Sequence, residues 1–188
     1  MYMKNLISLA AIILFAFSIA PAQKTNDAIA AQIKSLKAEK SITLSYDASS
    51  NASKIFARAD NFSDAEAKRA GIQAMNFGMA YIYVGKALAA PPETFDFAFW
   101  VLSKNPRFAS ERAWTVTLTG ETLDLGDARY GAKPREDMEY LNFHVSRDDL
   151  GRIAASPSVK FHLGGYDFTF TASQLTIFKN LITITDTH

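Results

Sequence analysis

Cysteine is absent from the 188-residue chain. This absence excludes disulfides, thiolate metal sites, a cysteine nucleophile and the acylated cysteine of a lipoprotein. Charge of one sign is also lacking, since 20 Lys and Arg oppose 19 Asp and Glu, a formal net charge of +1 at pH 7. The basic footprint of a nucleic-acid-binding domain is therefore missing, and we expect no nucleic-acid partner. No serine stands in a G-x-S-x-G motif, which argues against a serine hydrolase.

The N-terminus has the features of an export signal. Lys4 precedes an apolar run over residues 6–20, and Ala20-Pro21-Ala22 places small residues at an A-x-A cleavage site. We predict that residues 1–22 are a secretory signal peptide cleaved after Ala22, so that the mature chain begins at Gln23. The run is shorter than the roughly 20 residues that span a bilayer, so we expect no stable membrane insertion after cleavage. The expected location is bacterial, periplasmic or secreted, because an exported domain without disulfides fits that compartment.

Two periodicities divide the remaining chain. Apolar residues spaced three and four apart, and capping boxes beginning at Ser63, Ser146 and Thr171, predict helices at 26–40, 64–74, 147–156 and from 172 onward. Period-two alternation predicts strands at 41–47, 54–59, 76–84, 94–103 and 138–146, and hairpins at 114–126 and 159–171. The strand at 76–84 is apolar on both faces, which predicts a covered central position. The expected fold class is α+β, mainly antiparallel sheet with three to four packed helices.

The second half also suggests an internal repeat. Each hairpin follows a strand and contains a glycine-led turn, Gly120-Glu121 or Gly165-Tyr166, of the kind that favours a type II′ hairpin. The pattern predicts a duplicated strand-linker-hairpin unit at 94–126 and 138–171. Chance similarity between two amphipathic hairpins is the alternative. We divide the mature chain at Pro91-Pro92 into an N-terminal α/β segment, 23–90, packed on a C-terminal α+β segment, 91–188.

The densest aromatic segment lies at 94–102. Phe95, Phe97 and Phe99 alternate with Ala98 and Trp100, so the strand is apolar on both sides. Core packing is the ordinary explanation for such a strand. The alternative is the wall of an apolar ligand pocket, which makes Phe97 and Trp100 candidate binding residues.

A polar, glycine-bearing loop is predicted at 126–137. Its candidate binding residues are Arg129, Tyr130, Lys133 and Arg135. Connections of this length often carry function, and Arg129 and Arg135 can hold an anionic ligand or the acidic edge of a partner. The alternative is a plain solvent-exposed connection between the two repeat units.

Two histidines form a candidate metal site. His144 and His162 each lie out of phase with the apolar residues of their strands, so both are expected on the other side of a sheet. If the strands are neighbours, the two imidazoles can meet and bind a metal with a carboxylate such as Asp167 or Asp124. The alternative is two unrelated histidines on an exposed face. A further set of carboxylates lies around one loop, at Asp124, Asp127, Glu136 and Asp137. They can support hydrolysis only if the fold brings two of them to opposite sides of the same substrate bond.

These observations favour an exported, non-enzymatic extracytoplasmic protein. We expect it to bind a small ligand, apolar or anionic, or an envelope protein, and we expect no cofactor. The alternative is a periplasmic hydrolase that uses the loop carboxylates or a His144/His162 metal site. No motif identifies the ligand.

Overall fold

The structure is a computed structural model that describes residues 23–59, 62 and 64–187. The predicted signal peptide and the Ser63 cap lie outside these residues. Within them, no helix combines the length and the apolar character needed to cross a lipid bilayer.

The described chain forms an α+β fold, as predicted. Its elements are β1 (Lys24–Thr25), α1 (Asn26–Ser35), β2 (Ile42–Asp47), β3 (Ala52–Ala59), α2 (Asp64–Arg69), β4 (Ala74–Val84), β5 (Ala87–Leu88), β6 (Thr94–Leu102), β7 (Ala113–Leu118), β8 (Glu121–Asp127), β9 (Arg129–Lys133), a 3-10 turn (Pro134–Glu136), β10 (Met138–Ser146), α3 (Arg147–Ala155), β11 (Val159–Leu163), β12 (Tyr166–Phe170) and α4 (Ala172–Ile184). The large sheet has the order β2-β3-β4-β6-β10-β9, the small sheet β12-β11-β7-β8, and β1 pairs with β5. All the strand pairs are antiparallel.

An aromatic core joins the two main sheets. On β6, alternate side chains from Phe95 to Val101 are no more than 1% exposed and point to what we call the inner face of the large sheet. There the Phe97 ring lies 4.7 Å from Trp114 of the small sheet, measured between centroids, and 5.3 Å from Phe77 of β4. Phe178 of α4 contacts the same cluster at 5.3 Å from Phe77. The small sheet and the helices therefore form one layer over the inner face.

The opposite face of the large sheet is open to solvent. We call it the outer face; on β4 it includes Ile82, which is 56% exposed, and Val84, which is 79% exposed. The central position of β4 is confirmed, but the prediction that both its faces are covered is wrong. Apolar residues on both sides of the strand do not mean two covering layers here, because Gly78 is shielded by Trp100 and Phe56 of the same sheet.

Helices α1 and α2 both end earlier than their apolar patterns predict. After α1, Lys37 has a φ of +53°, its N–H donates to Lys34 O at 3.0 Å, and Ala38 N–H donates to Ile33 O at 3.0 Å. This is a Schellman motif, which stops a helix with one left-handed residue. After α2, Gly71 has a φ of +67° in the equivalent position. The caps predicted at Ser146 and Thr171 are confirmed, with a full capping box at Thr171.

Both repeat units have a strand in the large sheet followed by a hairpin in the small one. Strands β6 and β10 are neighbours, as are β7 and β11, while the origin of the units by duplication stays a prediction. The predicted turns are wrong by one residue: Leu118 pairs with Glu121 and Leu163 with Tyr166, so the loops are 119–120 and 164–165. Positive φ at both Gly164 and Gly165 is typical of a type I′ turn, not type II′.

Lys37 provides a test of the Schellman motif. Replacing Lys37 with Gly removes the Cβ from a left-handed residue, so we expect the free energy of unfolding to rise by about 0.5 to 1 kcal/mol. Lys34→Gly is the matched control, because Lys34 lies within α1 and glycine there should lower stability by about 1 kcal/mol. Urea unfolding measures both. A destabilising Lys37→Gly would contradict the assignment.

The turn between β2 and β3 depends on Asp47. Its Oδ1 accepts from Ser49 N at 2.9 Å and from Ser49 Oγ at 2.7 Å, and its Oδ2 accepts from Ser50 Oγ at 2.8 Å. These hydrogen bonds lower the pKa of Asp47 from 3.8 to about 2. A depressed carboxyl pKa stabilises the fold above the unfolded-state value, and that contribution is lost as the pH falls through the folded-state value.

Asp47→Asn should therefore have a pH-dependent effect. We expect wild type to melt at a higher temperature than Asp47→Asn at neutral pH, with the difference narrowing between about pH 4 and about pH 2. Thermal unfolding followed by circular dichroism measures it. A difference that is constant over this range would show that the ionised side chain does not hold the turn.

Candidate functional site

A groove of about 410 Å³ crosses the outer face of the large sheet. We call it the outer-face groove. It crosses five neighbouring strands, and its lining is Lys54 and Phe56 of β3, Gly78 and Ala80 of β4, Asp96, Phe97, Ala98 and Trp100 of β6, Asn142, Phe143 and His144 of β10, and Arg129 of β9. Antiparallel register brings these residues together, since Asp96 pairs with Ala80 on one side and with His144 on the other.

The floor of the groove is made of small residues, and one of them must be glycine. A Cβ on Gly78 would lie 2.5 Å from the indole of Trp100 and 2.9 Å from the ring of Phe56. Because Gly78 lacks that atom, the indole can lie close against the backbone of β4. Trp100 and Phe56 also meet edge to face, with ring centroids 6.1 Å apart. The two half-buried rings form the aromatic wall of the groove.

Polar side chains form the rim. The Lys54 ammonium lies 4.9 Å from the centroid of the Phe56 ring, and Arg129 lies on edge strand β9. Within the described chain, neither cation has an ion pair. Four strand spacings of about 4.8 Å separate β3 from β9, so the two backbones are roughly 19 Å apart across the sheet. His144 Nδ1 lies 2.8 Å from Asp96 Oδ1, with the two side chains 59% and 62% exposed.

Three predicted residues meet in this groove although they come from three separate hypotheses. Trp100 comes from the aromatic segment, Arg129 from the predicted loop and His144 from the histidine pair. Phe97 reaches the groove only from beneath: it is 1% exposed and belongs to the core. Trp100, unlike Phe97, is on the outer face of β6, so period-two alternation separates the core residue from the surface one.

The other cations of the predicted loop do not line the groove. Residues 129–133 form edge strand β9, so the prediction of a long loop over 126–137 is wrong. The segment lacks apolar alternation because its side chains are all exposed or half-buried, so neither of its faces carries buried apolar residues. Lys133 pairs with Glu136 at 3.5 Å, and Arg135 is exposed on the following 3-10 turn.

Tyr130 points to the inner side of the sheet, where its hydroxyl donates to Glu139 Oε1 at 3.1 Å. Burial and the nearby Glu139 carboxylate raise the pKa of Tyr130. The tyrosine is therefore part of the support beneath β9 and not of the groove.

The two histidines lie on opposite sides of the molecule. His144 is on the outer face of the large sheet, whereas His162 of β11 is on the solvent side of the small sheet, with its Nδ1 2.9 Å from Asp167 Oδ1. The predicted metal site is thus not assembled. Across the part of the chain that the structure describes, no group of three or more His, Asp or Glu residues is placed to hold a metal ion. Asp124 and Asp127 lie on β8 of the small sheet, and Glu136 and Asp137 follow β9 of the large one.

Glu139 is an important residue that sequence reasoning missed. It is 2% exposed, and its carboxylate accepts from Arg107 N at 2.8 Å, Phe108 N at 3.0 Å, Ser103 Oγ at 3.1 Å and the Tyr130 hydroxyl. A buried charge is tolerated when it is hydrogen-bonded in this way. Glu139 thereby ties the segment after β6 to β9, the strand that carries Arg129. The sequence does carry a signal for this role, because Glu139 is in phase with the inward-facing apolar residues of β10.

No known protein family, curated protein or solved structure matches this chain.

Replacing Glu139 with Gln should test this anchor. The amide NH2 cannot accept a hydrogen bond, so we expect a loss of about 1 to 3 kcal/mol in the free energy of unfolding. Glu136→Gln is the matched control, because Glu136 forms only an exposed pair with Lys133 and should stay within about 1 kcal/mol of wild type. Equal stability of the two variants in urea titrations would contradict the anchoring role.

Proposed function

We propose that the protein is an exported, non-enzymatic binding protein that holds a small ligand in the outer-face groove. One observation carries the proposal: a half-buried tryptophan and two cations that form no ion pair with any described residue line a single groove on an open sheet face. Export is proposed from the sequence of residues 1–22, which has the charge, apolar run and cleavage site of a signal peptide.

The apolar content of the groove supports binding. Apolar surface left in water costs about 25 cal/mol per Å², so grouped aromatic side chains on an open face point to an interaction site. Trp100 and Phe56 have such positions, whereas on β6 the inward side chains from Phe95 to Val101 are no more than 1% exposed. Aromatic walls with a few polar groups are typical of small-molecule sites.

The residue types around the groove favour binding over hydrolysis. His144 and Asp96 form a hydrogen-bonded pair, but among the described residues the lining holds no Ser, Thr or Cys for covalent catalysis and no second carboxylate for acid–base hydrolysis. A nucleophile within hydrogen-bond reach of the base is the minimum for covalent catalysis. His162, the second member of the proposed metal site, is on the far sheet.

Native mass spectrometry tests the proposal. The protein is purified from Gln23 onward, without detergent, and incubated with an extract of its own envelope fraction. We expect a reproducible extra mass on wild type that is lost in Trp100→Ala and strongly reduced in Arg129→Gln. Arg135→Gln is the matched control, since Arg135 is an exposed cation outside the groove.

Circular dichroism and thermal unfolding of each variant separate a lost ligand from a lost fold. A wild type that stays apo, or an extra mass that survives both groove substitutions, would contradict the proposal. Stable capture of an envelope protein by apo wild type would instead favour the other binding function expected from the sequence, which is binding of a protein partner.

A further inference from the structure

We infer that the ligand of the outer-face groove is an acidic oligosaccharide. The inference rests on the proposed function and goes further by naming the chemical class of the ligand. It combines three features of the groove: an aromatic wall, a rim with both donors and acceptors, and two separated cations.

The aromatic surface suits a ring-shaped ligand. Trp100 lies close over Gly78, and Phe56 meets it edge to face, so the space beside them is bounded by ring surface and by the small floor residues. The C–H groups on one face of a pyranose ring pack well against such a surface, because an aromatic face is apolar and carries partial negative charge.

The polar rim suits a ligand rich in hydroxyl groups. Asn142 offers a donor and an acceptor, Asp96 is an acceptor, and the His144 ring and the Lys54 ammonium offer donors. A hydroxyl group can both donate and accept, so a saccharide can replace the water on every one of these groups. A hydrocarbon chain in the same place would remove water from the Lys54 ammonium and from the polar atoms that the His144–Asp96 and Asn142–Arg129 hydrogen bonds leave open, which is unfavourable.

The charge of the groove selects an acidic saccharide over a neutral one. Lys54 and Arg129 lie at opposite ends and have no ion-pair partner within the described residues, whereas the Asp96 carboxylate is already paired with His144 at 2.8 Å. The two cations are on strands whose backbones are roughly 19 Å apart, so a ligand that contacts both extends across the sheet. A chain of uronate units carries an anionic group at each step and can satisfy both ends.

Isothermal titration calorimetry with defined oligosaccharides tests the inference. The probes are the tetrasaccharides of galacturonate, mannuronate and hyaluronan, with cellotetraose and maltotetraose as uncharged controls. We expect at least one acidic tetrasaccharide to bind wild type, the neutral ones to bind at least about tenfold more weakly, and the acidic affinity to fall between about 50 and about 500 mM NaCl. The corresponding uronate monomer should also bind more weakly than its tetramer, since it reaches only one cation.

Variants identify the groove as the site of this binding. Lys54→Gln and Arg129→Gln should each weaken acidic tetrasaccharide binding about tenfold and flatten its salt dependence, because each removes a charge-assisted hydrogen bond. Arg135→Gln should bind as wild type does. Ligand-induced change in tryptophan fluorescence should disappear in Trp100→Phe, since Trp114 is 1% exposed and packs on the inner side of the large sheet.

Failure of the inference is distinguishable from failure of the proposed function. If wild type gains a mass from the envelope extract through Trp100 and Arg129 but binds none of the acidic tetrasaccharides, the inference is overturned and the binding function stands. Equal binding of neutral and acidic tetrasaccharides would overturn it in the same way. Acidic tetrasaccharide binding that is unchanged in Lys54→Gln and in Arg129→Gln would contradict the inference and the proposed function together, because the ligand would then bind outside the outer-face groove.

Discussion

Ring packing between two layers is the interaction on which the rest of this structure depends. Phe97 contacts Trp114 across the layers, and Phe161 lies 4.5 Å from Phe170 within the small sheet, centroid to centroid. Pairs of this kind contribute about 0.5 to 1.5 kcal/mol each beyond the area that they bury. Because the small sheet and the helices all pack on the inner face, the outer face of the large sheet is left without a covering layer among the described residues. The groove is a consequence of that one-sided packing.

Two local arrangements turn the open face into a specific groove. The absence of a side chain at Gly78 lets Trp100 lie on the sheet, so the aromatic wall depends on a residue that contributes no contact surface of its own. Glu139 acts from the inner side: its buried carboxylate holds the segment after β6 and the Tyr130 hydroxyl, and so supports the edge strand that carries Arg129. The buried Glu139 thereby helps to position Arg129, a surface cation on the edge strand.

Much of the local structure could be predicted from the sequence, because alternation and capping are local signals. Strand β10 has the predicted bounds, and the predicted caps at Ser146 and Thr171 form. The errors lie where local pattern carries less information. The exact position of a turn depends on backbone φ values that a local pattern does not give, and edge strand β9 lacks alternation because none of its side chains is buried. The groove was the hardest feature to predict. Trp100, Arg129 and His144 come together only because β6, β10 and β9 are neighbours in the sheet, and strand order is set by long-range packing.

The central claim is that ligands bind on the open face of the large sheet, and backbone NMR tests it most directly. Chemical shifts of the amides are followed while uniformly labelled wild type is titrated with envelope extract and then with a tetragalacturonate probe. We expect the changes to cluster on the outer-face strands, at Gly78, Ala98, Asn142 and their neighbours, with the small sheet unaffected. Changes centred on His162 and Asp167 of the small sheet, with the groove amides unmoved, would contradict the account.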